Sequence, residues 1–245
     1  MAARPRCLQC REQRASLTTG PRDYDDVSVV MITRNEEGAI AKVVDDARSA
    51  LPGCDVIVVD GSSDRTPEIA KEHGAQVFRE PSGGPAPALL YALRASTRPI
   101  VVTVDADDTY PADVYPELVR RVREGDDVAG TNRLGRRPPK AMPLRNWVAN
   151  VLFNVVASVH ATRVLRDVHS GQRAYRREII DHFDWDTTGR AFPVDLLLWP
   201  AIAGCRISEI DIPYRERIGE TTLHRWIDGR ETLRRLFRRV KPRIH

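Results

Sequence analysis

Asp105-Ala106-Asp107 is the stretch of this chain best suited to chemistry. Two carboxylates one residue apart, directly after an apolar run, can share a hard divalent cation, which takes oxygen ligands. Such an ion keeps positions for the phosphates of a nucleotide. An ion so placed offsets the charge that builds on a departing diphosphate. Acidic turns also cap helices, and a helix expected near Pro111 supplies that plainer role. What favours a site is company. Asn35-Glu36 and Asp60-Gly61-Ser62-Ser63-Asp64 each follow an apolar run in the same way.

The elements that must position these groups are legible in the pattern. Four short β-branched runs, at 27–32, 56–59, 76–78 and 100–104, predict buried strands. Helical spacing predicts helices over 36–50, 66–73 and 88–95, with 81–87 as a Gly/Pro loop. Strand and helix alternate, which predicts an α/β domain with a mostly parallel, Rossmann-like sheet flanked by helices. Ligands of such sheets bind at the carboxyl ends of the strands, where all three polar clusters fall.

The second half reads as more mixed. Residues 133–143 form a polar loop with two prolines, a candidate flap. A helix is expected over 146–165. Val148, Val151, Leu152, Val155, Val156 and Val159 form its apolar stripe, which would flank a lipid groove or lie in the core. Asn146, Asn150, Asn154 and Ser158 recur on another face. Residues 194–203 read as helical around Pro200, and 206–212 as a strand.

These motifs resemble those of family 2 glycosyltransferases with the GT-A fold. The resemblance rests on Val29 to Glu36, Val58 to Thr66 and Val104 to Asp107. Three further stretches are similar to the dolichol-phosphate (polyprenyl-phosphate) mannose synthase branch: Val128 to Arg133, Asp167-Val168-His169-Ser170-Gly171-Gln172-Arg173-Ala174-Tyr175, and Glu209 to Arg217 with Gly219-Glu220. The resemblance spans about residues 26–240. It implies that Thr33, Glu36 and Asp60 hold the nucleoside, with Ala106 beside the nucleotide. It implies that Asp105 and Asp107 bind Mg2+ or Mn2+, with Thr109 as a third, weaker ligand. Arg133, Arg145, Arg173 and Arg217 are then the candidate grips on phosphate, for which arginine's planar fork is suited. Arg133, Arg217 and Asp107 carry the catalytic expectation.

The implied reaction is an inverting transfer of a sugar, mannose from GDP-mannose, to a polyprenyl phosphate. A phosphate monoester needs no general base, because its second pKa is about 6. An alcohol acceptor would need one, and Asp195 and Asp167 are the carboxylates to examine. The chain departs from the branch in places. Ile32-Thr33-Arg34-Asn35-Glu36 lacks the usual Pro and Tyr, 82–87 lacks a lysine between glycines, and Thr221-Thr222-Leu223 replaces Ser-Lys-Leu. Arg34 could restore some of that charge. A transferase using a UDP-sugar and a soluble or natural-product acceptor is therefore the alternative.

Length and charge bound the remainder. The 245 residues, 42% hydrophobic and 29% charged, suit one medium domain. The expected division is a tail over 1–25, a GT-A domain over 26–225, and a basic amphipathic helix over 226–245. In that helix Trp226, Leu233, Leu236, Phe237 and Val240 form a stripe, with Arg230, Arg234, Arg235, Arg238 and Arg239 on other faces, as at an anionic membrane surface. A basic nucleic-acid binder is the competing class, but no helix-turn-helix, zinc-finger or RNP-like pattern accompanies these arginines, so no nucleic-acid partner is expected. Cys54 and Cys205 read as buried thiols, and Cys7 and Cys10 lack the further ligands of a zinc site. No signal peptide or stretch of about 18 apolar residues occurs, so the expected place is cytoplasmic, peripheral at the inner face of a membrane. A membrane-anchored partner or a second copy of the chain fits there.

Overall fold

A computed structural model describes residues 23–81, 83–135, 140, 142–189, 191–215 and 225–238, apart from the side chains of 225–228. In the amino-terminal half β1 (Val27–Thr33), β2 (Asp55–Asp60), β3 (Gln76–Arg79) and β4 (Ile100–Thr103) alternate with α1 (Ile40–Ala50), α2 (Thr66–Glu72) and α3 (Pro85–Ala95). These four strands pair in parallel in the order β3-β2-β1-β4. Next come α4 (Tyr115–Arg123), β5 (Val128–Asn132), α5 (Leu144–Ala161), β6 (Arg173–Arg176), α6 (Arg177–His182), α7 (Phe192–Ile202), β7 (Ile207–Asp211) and α8 (Arg225–Leu236). The sheet has seven strands in the order β3-β2-β1-β4-β6-β5-β7, and β6 runs antiparallel to both its neighbours. The expected parallel sheet with a mixed second half is what forms.

Period-two alternation divides the core. Val29 and Met31 pack with α1, α2 and α4 on one face, whereas Val30, Ile57 and Val59 pack with α3, α6 and α7 on the other. Each fully buried aliphatic contributes about 1.5–3 kcal/mol, so both faces hold the strands in register. Register matters to function, because it sets the carboxyl ends of β1, β2 and β4 along one rim.

Several expected boundaries shift for physical reasons. α3 begins at Pro85, since proline is tolerated in a first helical turn, and Gly84 takes φ 92° ahead of it. α1 begins at Ile40, after a turn in which the Glu36 carbonyl accepts from Ala39 N and Ile40 N.

Most of the expected apolar stripe of α5 faces outward, although Val156 packs against the core. Val148, Leu152, Val155 and Val159 are 43%, 60%, 56% and 71% exposed. The helix instead turns its amide-and-small face to the domain, burying Asn154, Ala157 and Ala161. The reason is hydrogen bonding. Asn154 donates Nδ2 to the Arg166 carbonyl and accepts from Val168 N, so it satisfies the backbone of the loop before β6.

In α8 the expected place of one arginine is corrected. Leu236 is buried, but Leu233 and Phe237 are 44% and 66% exposed, and Arg235 is buried rather than on a solvated face. Val240 and Arg239 lie outside the described residues. So do Cys7 and Cys10, whereas Cys54 and Cys205 are buried thiols as expected.

Candidate functional site

The ends of β1 and β2 build one polar rim. Thr33 Oγ1 donates to Asp60 Oδ1 at 2.7 Å, and Gly61 N donates to the Thr33 carbonyl. Ser62 adds its hydroxyl to Asp60 Oδ1 and its N–H to Oδ2. Asp60 is thus a buried carboxylate held by three donors. Asn35 crosses the gap, donating its N–H to Ser62 Oγ and accepting from Ser63 N through Oδ1. It adopts φ 57°, a left-handed conformation asparagine tolerates better than most residues. Glu36 N donates to Thr66 Oγ1, which fixes the same loop from α2. The structure therefore joins Thr33 to Asp60 directly, and it anchors the Glu36 N–H through Thr66 rather than through either of them.

The loop after β4 carries the acid pair. Asp105 is exposed, whereas Ala106 and Asp107 are buried. Asp107 Oδ1 accepts from Thr109 N at 3.2 Å and Thr109 Oγ1 at 2.7 Å. Thr109, 1% exposed, thus orients Asp107 rather than presenting its hydroxyl as a third ligand. Asp105 lies against Gly171: a methyl group built there would fall 2.5 Å from Asp105 Oδ1. A glycine is required at that approach. Asp108, at φ 58°, is drawn away to Lys42 Nζ at 2.8 Å and toward Arg215 at 3.8 Å. Two carboxylates with backbone space beside them suit Mg2+ or Mn2+, which is bound through one or two carboxylates plus substrate phosphates. Among the described residues no larger cluster of His, Cys, Asp or Glu forms a metal cage.

Across from this loop stands Arg133. Its Nε reaches Asp167 Oδ2 at 2.7 Å and its Nη2 reaches Oδ1 at 2.9 Å, while its own N–H also donates to Asp167. Burial opposes the charge of Asp167, yet the positive charge and hydrogen bonds of Arg133 hold its pKa below the usual carboxylate range. The guanidinium lies over the rings of Tyr214 and Tyr110, 5.3 and 6.0 Å from their centroids. Tyr110 also accepts from Gly171 N at 2.7 Å, which ties the acid loop to the 167–171 loop. His169, in that loop, bonds Thr232 of α8 at 3.0 Å, and burial pushes its pKa down to about 4.

The remaining expected residues stand elsewhere. Arg173 is 1% exposed and donates to the carbonyls of Pro193 and Val168, so it braces the core and does not grip phosphate. Asp195 has no exposure and pairs with Arg235, which removes it as an open base; burial raises its pKa to about 6 despite that arginine. Arg145 is exposed at the start of α5. Arg217 lies outside the described residues. Sequence reasoning missed Tyr110, Tyr214 and Lys42. Tyr214 sits in the Glu209 to Arg217 stretch already singled out, whereas Tyr110 lies three residues beyond the end of the Val104 to Asp107 stretch.

A groove of about 790 Å³, with Arg163, Arg166 and Asp211 among its lining residues, opens between α5 and the loop before β6, and reaches Asn132 and Leu134 on either side of Arg133 in the chain. Val151, Val155, Val159 and Val164 also line it. Among the described residues no helix is long and apolar enough to cross a membrane.

Comparison with known proteins bears on this geometry. The model of a family described as Glycosyl transferase family 2 matches residues 28–183. A dolichyl-phosphate hexose transferase of Haloferax volcanii is 41% identical over 207 residues, covering 84% of this chain and 90% of that protein. An undecaprenyl-phosphate mannosyltransferase of Micrococcus luteus is 28% identical, covering 83% and 89%. Among solved structures, glucosyl-3-phosphoglycerate synthase from Mycobacterium tuberculosis, in complex with Mn2+, UDP and glucosyl-3-phosphoglycerate, superposes with a TM-score of 0.68 at 22% identity. That match covers 84% of this chain and 77% of the other, and it shows the GT-A fold.

Proposed function

Since this chain belongs to glycosyltransferase family 2, we propose that it moves a hexose from a nucleoside diphosphate sugar to a polyprenyl phosphate, with inversion, and that the donor is GDP-mannose. The observation that carries the acceptor is the state of the carboxylates. Asp167 is locked onto Arg133, and Asp195 is sealed against Arg235. Neither of the acids examined as a base is open to an acceptor hydroxyl, and a phosphate acceptor needs none, being anionic near neutral pH. The relatives named for dolichyl and undecaprenyl phosphate support the same acceptor.

In this reading Thr33, Glu36 and Asp60 hold the nucleoside, and Asp105 and Asp107 hold a divalent ion shared with the diphosphate. That ion supplies charge neutralisation at the leaving group. Arg133, aimed by Asp167 and flanked by two tyrosines, keeps Nη1 for the acceptor phosphate, and Arg145 and Arg217 are further grips on it. Positioning and electrostatics then carry the rate. The groove that reaches Asn132 and Leu134 takes the first isoprene units along its valines. The exposed apolar residues of α5 and α8, together with exposed Arg230 and Arg234, lie on the inner face of an anionic membrane.

The test is transfer of radiolabelled mannose from GDP-mannose to a polyprenyl phosphate in detergent. A lipid-linked product that requires Mn2+ or Mg2+ is expected. Robust product with a water-soluble acceptor and none with the lipid would overturn the proposal.

A further inference from the structure

The donor cleft has a further carboxylate, and its place follows from the sheet. Diphosphate belongs at Asp105 and Asp107, at the end of β4. The neighbouring strands run β1, β2, β3 in that order away from it. At about 4.8 Å per strand, β3 lies ~14 Å from β4. A nucleoside diphosphate laid along the rim puts its ribose near β1 and β2 and the far edge of its base near β2 and β3. Glu80 stands there. It follows β3 directly, and its N–H donates to the Asp60 carbonyl at 2.7 Å. Its side chain folds back over Gly61: a methyl group built on Gly61 would collide with the carboxylate and fall 3.0 Å from Cδ. The backbone of Gly61 therefore forms the floor beneath this carboxylate.

Asp60 does not compete for the role. Three of its roughly four acceptor positions are taken by Thr33 and Ser62. Among the described residues no donor is bonded to the Glu80 side chain. A carboxylate accepts and never donates while ionised. Guanine offers it two adjacent donors, the ring N1–H and the exocyclic amine. Uracil offers one N–H between two carbonyl oxygens, which a carboxylate repels, and adenine offers one amine beside an acceptor nitrogen.

We propose that Glu80, seated on Gly61 at the end of β3, reads the base of the donor and selects guanine by accepting from both of these donors. The assignment rests on the nucleotide-sugar reading of the same cleft. A site built to receive particular donors rejects the analogue that lacks them, because its polar groups are then left unpaired.

The experiment is calorimetric titration of the full chain with GDP, UDP and ADP in Mn2+. Wild type, Glu80→Gln and Glu80→Ala are compared, and melting temperatures confirm that the variants fold. Wild type should prefer GDP. Both variants should bind GDP about 10- to 100-fold more weakly, the loss of charge-assisted hydrogen bonds, with UDP affinity little changed. Glu80→Gln should lose most of the preference although its size is kept, because its amide faces a donor with a donor. A GDP preference retained in both variants overturns the assignment and leaves the donor reading intact. A wild type that prefers UDP or ADP also overturns it. A wild type that binds no nucleoside diphosphate overturns both.

Discussion

Asp195 and Arg235 meet in the core, 0% and 1% exposed, and their ion pair rivets α8 to α7. Arg235 also donates to the carbonyls of Asp186 and Thr188, so one guanidinium holds three segments together. Burying a charge is tolerated only while its partner stays. Arg235→Ala leaves Asp195 buried and unpaired and is expected to cost about 3–5 kcal/mol. Arg235→Met combined with Asp195→Leu should recover much of that loss. Chemical denaturation of the two variants and wild type checks the expectation; equal losses in both would show that the pair is not what anchors α8.

Asp107 makes the second prediction. Asp107→Ala keeps the backbone and should abolish the stabilisation that GDP and Mn2+ together give, while wild type gains about 2.7 kcal/mol at a ligand concentration of about 100 times Kd. Thr109→Val should weaken the effect without removing it, since Thr109 acts through Asp107. A thermal-shift titration reads both, and an unchanged shift in Asp107→Ala would remove the metal from this loop.

Arg133 makes the third. Arg133→Lys keeps the charge but loses the two-point grip on Asp167 and the flat face against Tyr214. The expected result is a rise in KM for the lipid phosphate of about tenfold or more, with KM for the donor nearly unchanged. Steady-state kinetics with each substrate varied in turn decides it. A rise in donor KM alone would move Arg133 to the donor side.

Much of this site was legible because β-branched runs and the polar residues after them are local signals. The ends of β1, β2 and β4 could be placed by eye, and Thr33 and Asp60 do bond across them. The misplaced residues are those decided by tertiary partners. Nothing near Arg173 announces that the Pro193 and Val168 carbonyls will take its guanidinium, and nothing near Asp195 announces an arginine forty residues on. Of the two readings of the α5 stripe, the core one largely fails because hydrophobicity was weighed and hydrogen bonding was not, whereas Val151, Val155 and Val159 do line a groove. Asn154 is buried since two backbone groups of the 166–168 loop need it. β5 and β6 were visible only as motifs, being short strands with glycine, asparagine or arginine in them.

His169 makes a pH prediction. Burial lowers its pKa from 6.5 to about 4, so the folded state favours neutral imidazole. The unfolded chain takes up the proton first as pH falls. Stability from this group is therefore complete above pH 6.5 and is lost between 6.5 and 4, by something on the order of 2–3 kcal/mol. Asp167, whose pKa is also lowered, adds a loss only below the ordinary carboxylate range. His169→Gln keeps a group able to bond Thr232 and should flatten the profile between pH 6.5 and 4. Urea denaturation at half-unit pH steps measures it; an unaltered slope in the variant would assign the loss to other groups.

The apolar surface makes the last prediction. Leu152, Val155 and Val159 on α5 and Leu233 and Phe237 on α8 are all 44% exposed or more. The two helices pack together, and the His160 ring contacts Phe237 at 4.9 Å. An exposed apolar patch of this kind marks an interaction surface, and the flanking arginines favour an anionic one. Val159→Asp and Phe237→Asp lie at 71% and 66% exposure, so neither should disturb the core. Each should weaken co-sedimentation with vesicles rich in anionic lipid several-fold, and together they should nearly abolish it. Added salt should weaken wild-type binding as well, because part of the attraction is screened Coulomb energy. Vesicle binding that survives the double substitution would assign this face to another occupant. Loss of lipid-linked product in parallel, with the GDP and Mn2+ stabilisation intact, would connect the patch to acceptor delivery rather than to donor binding.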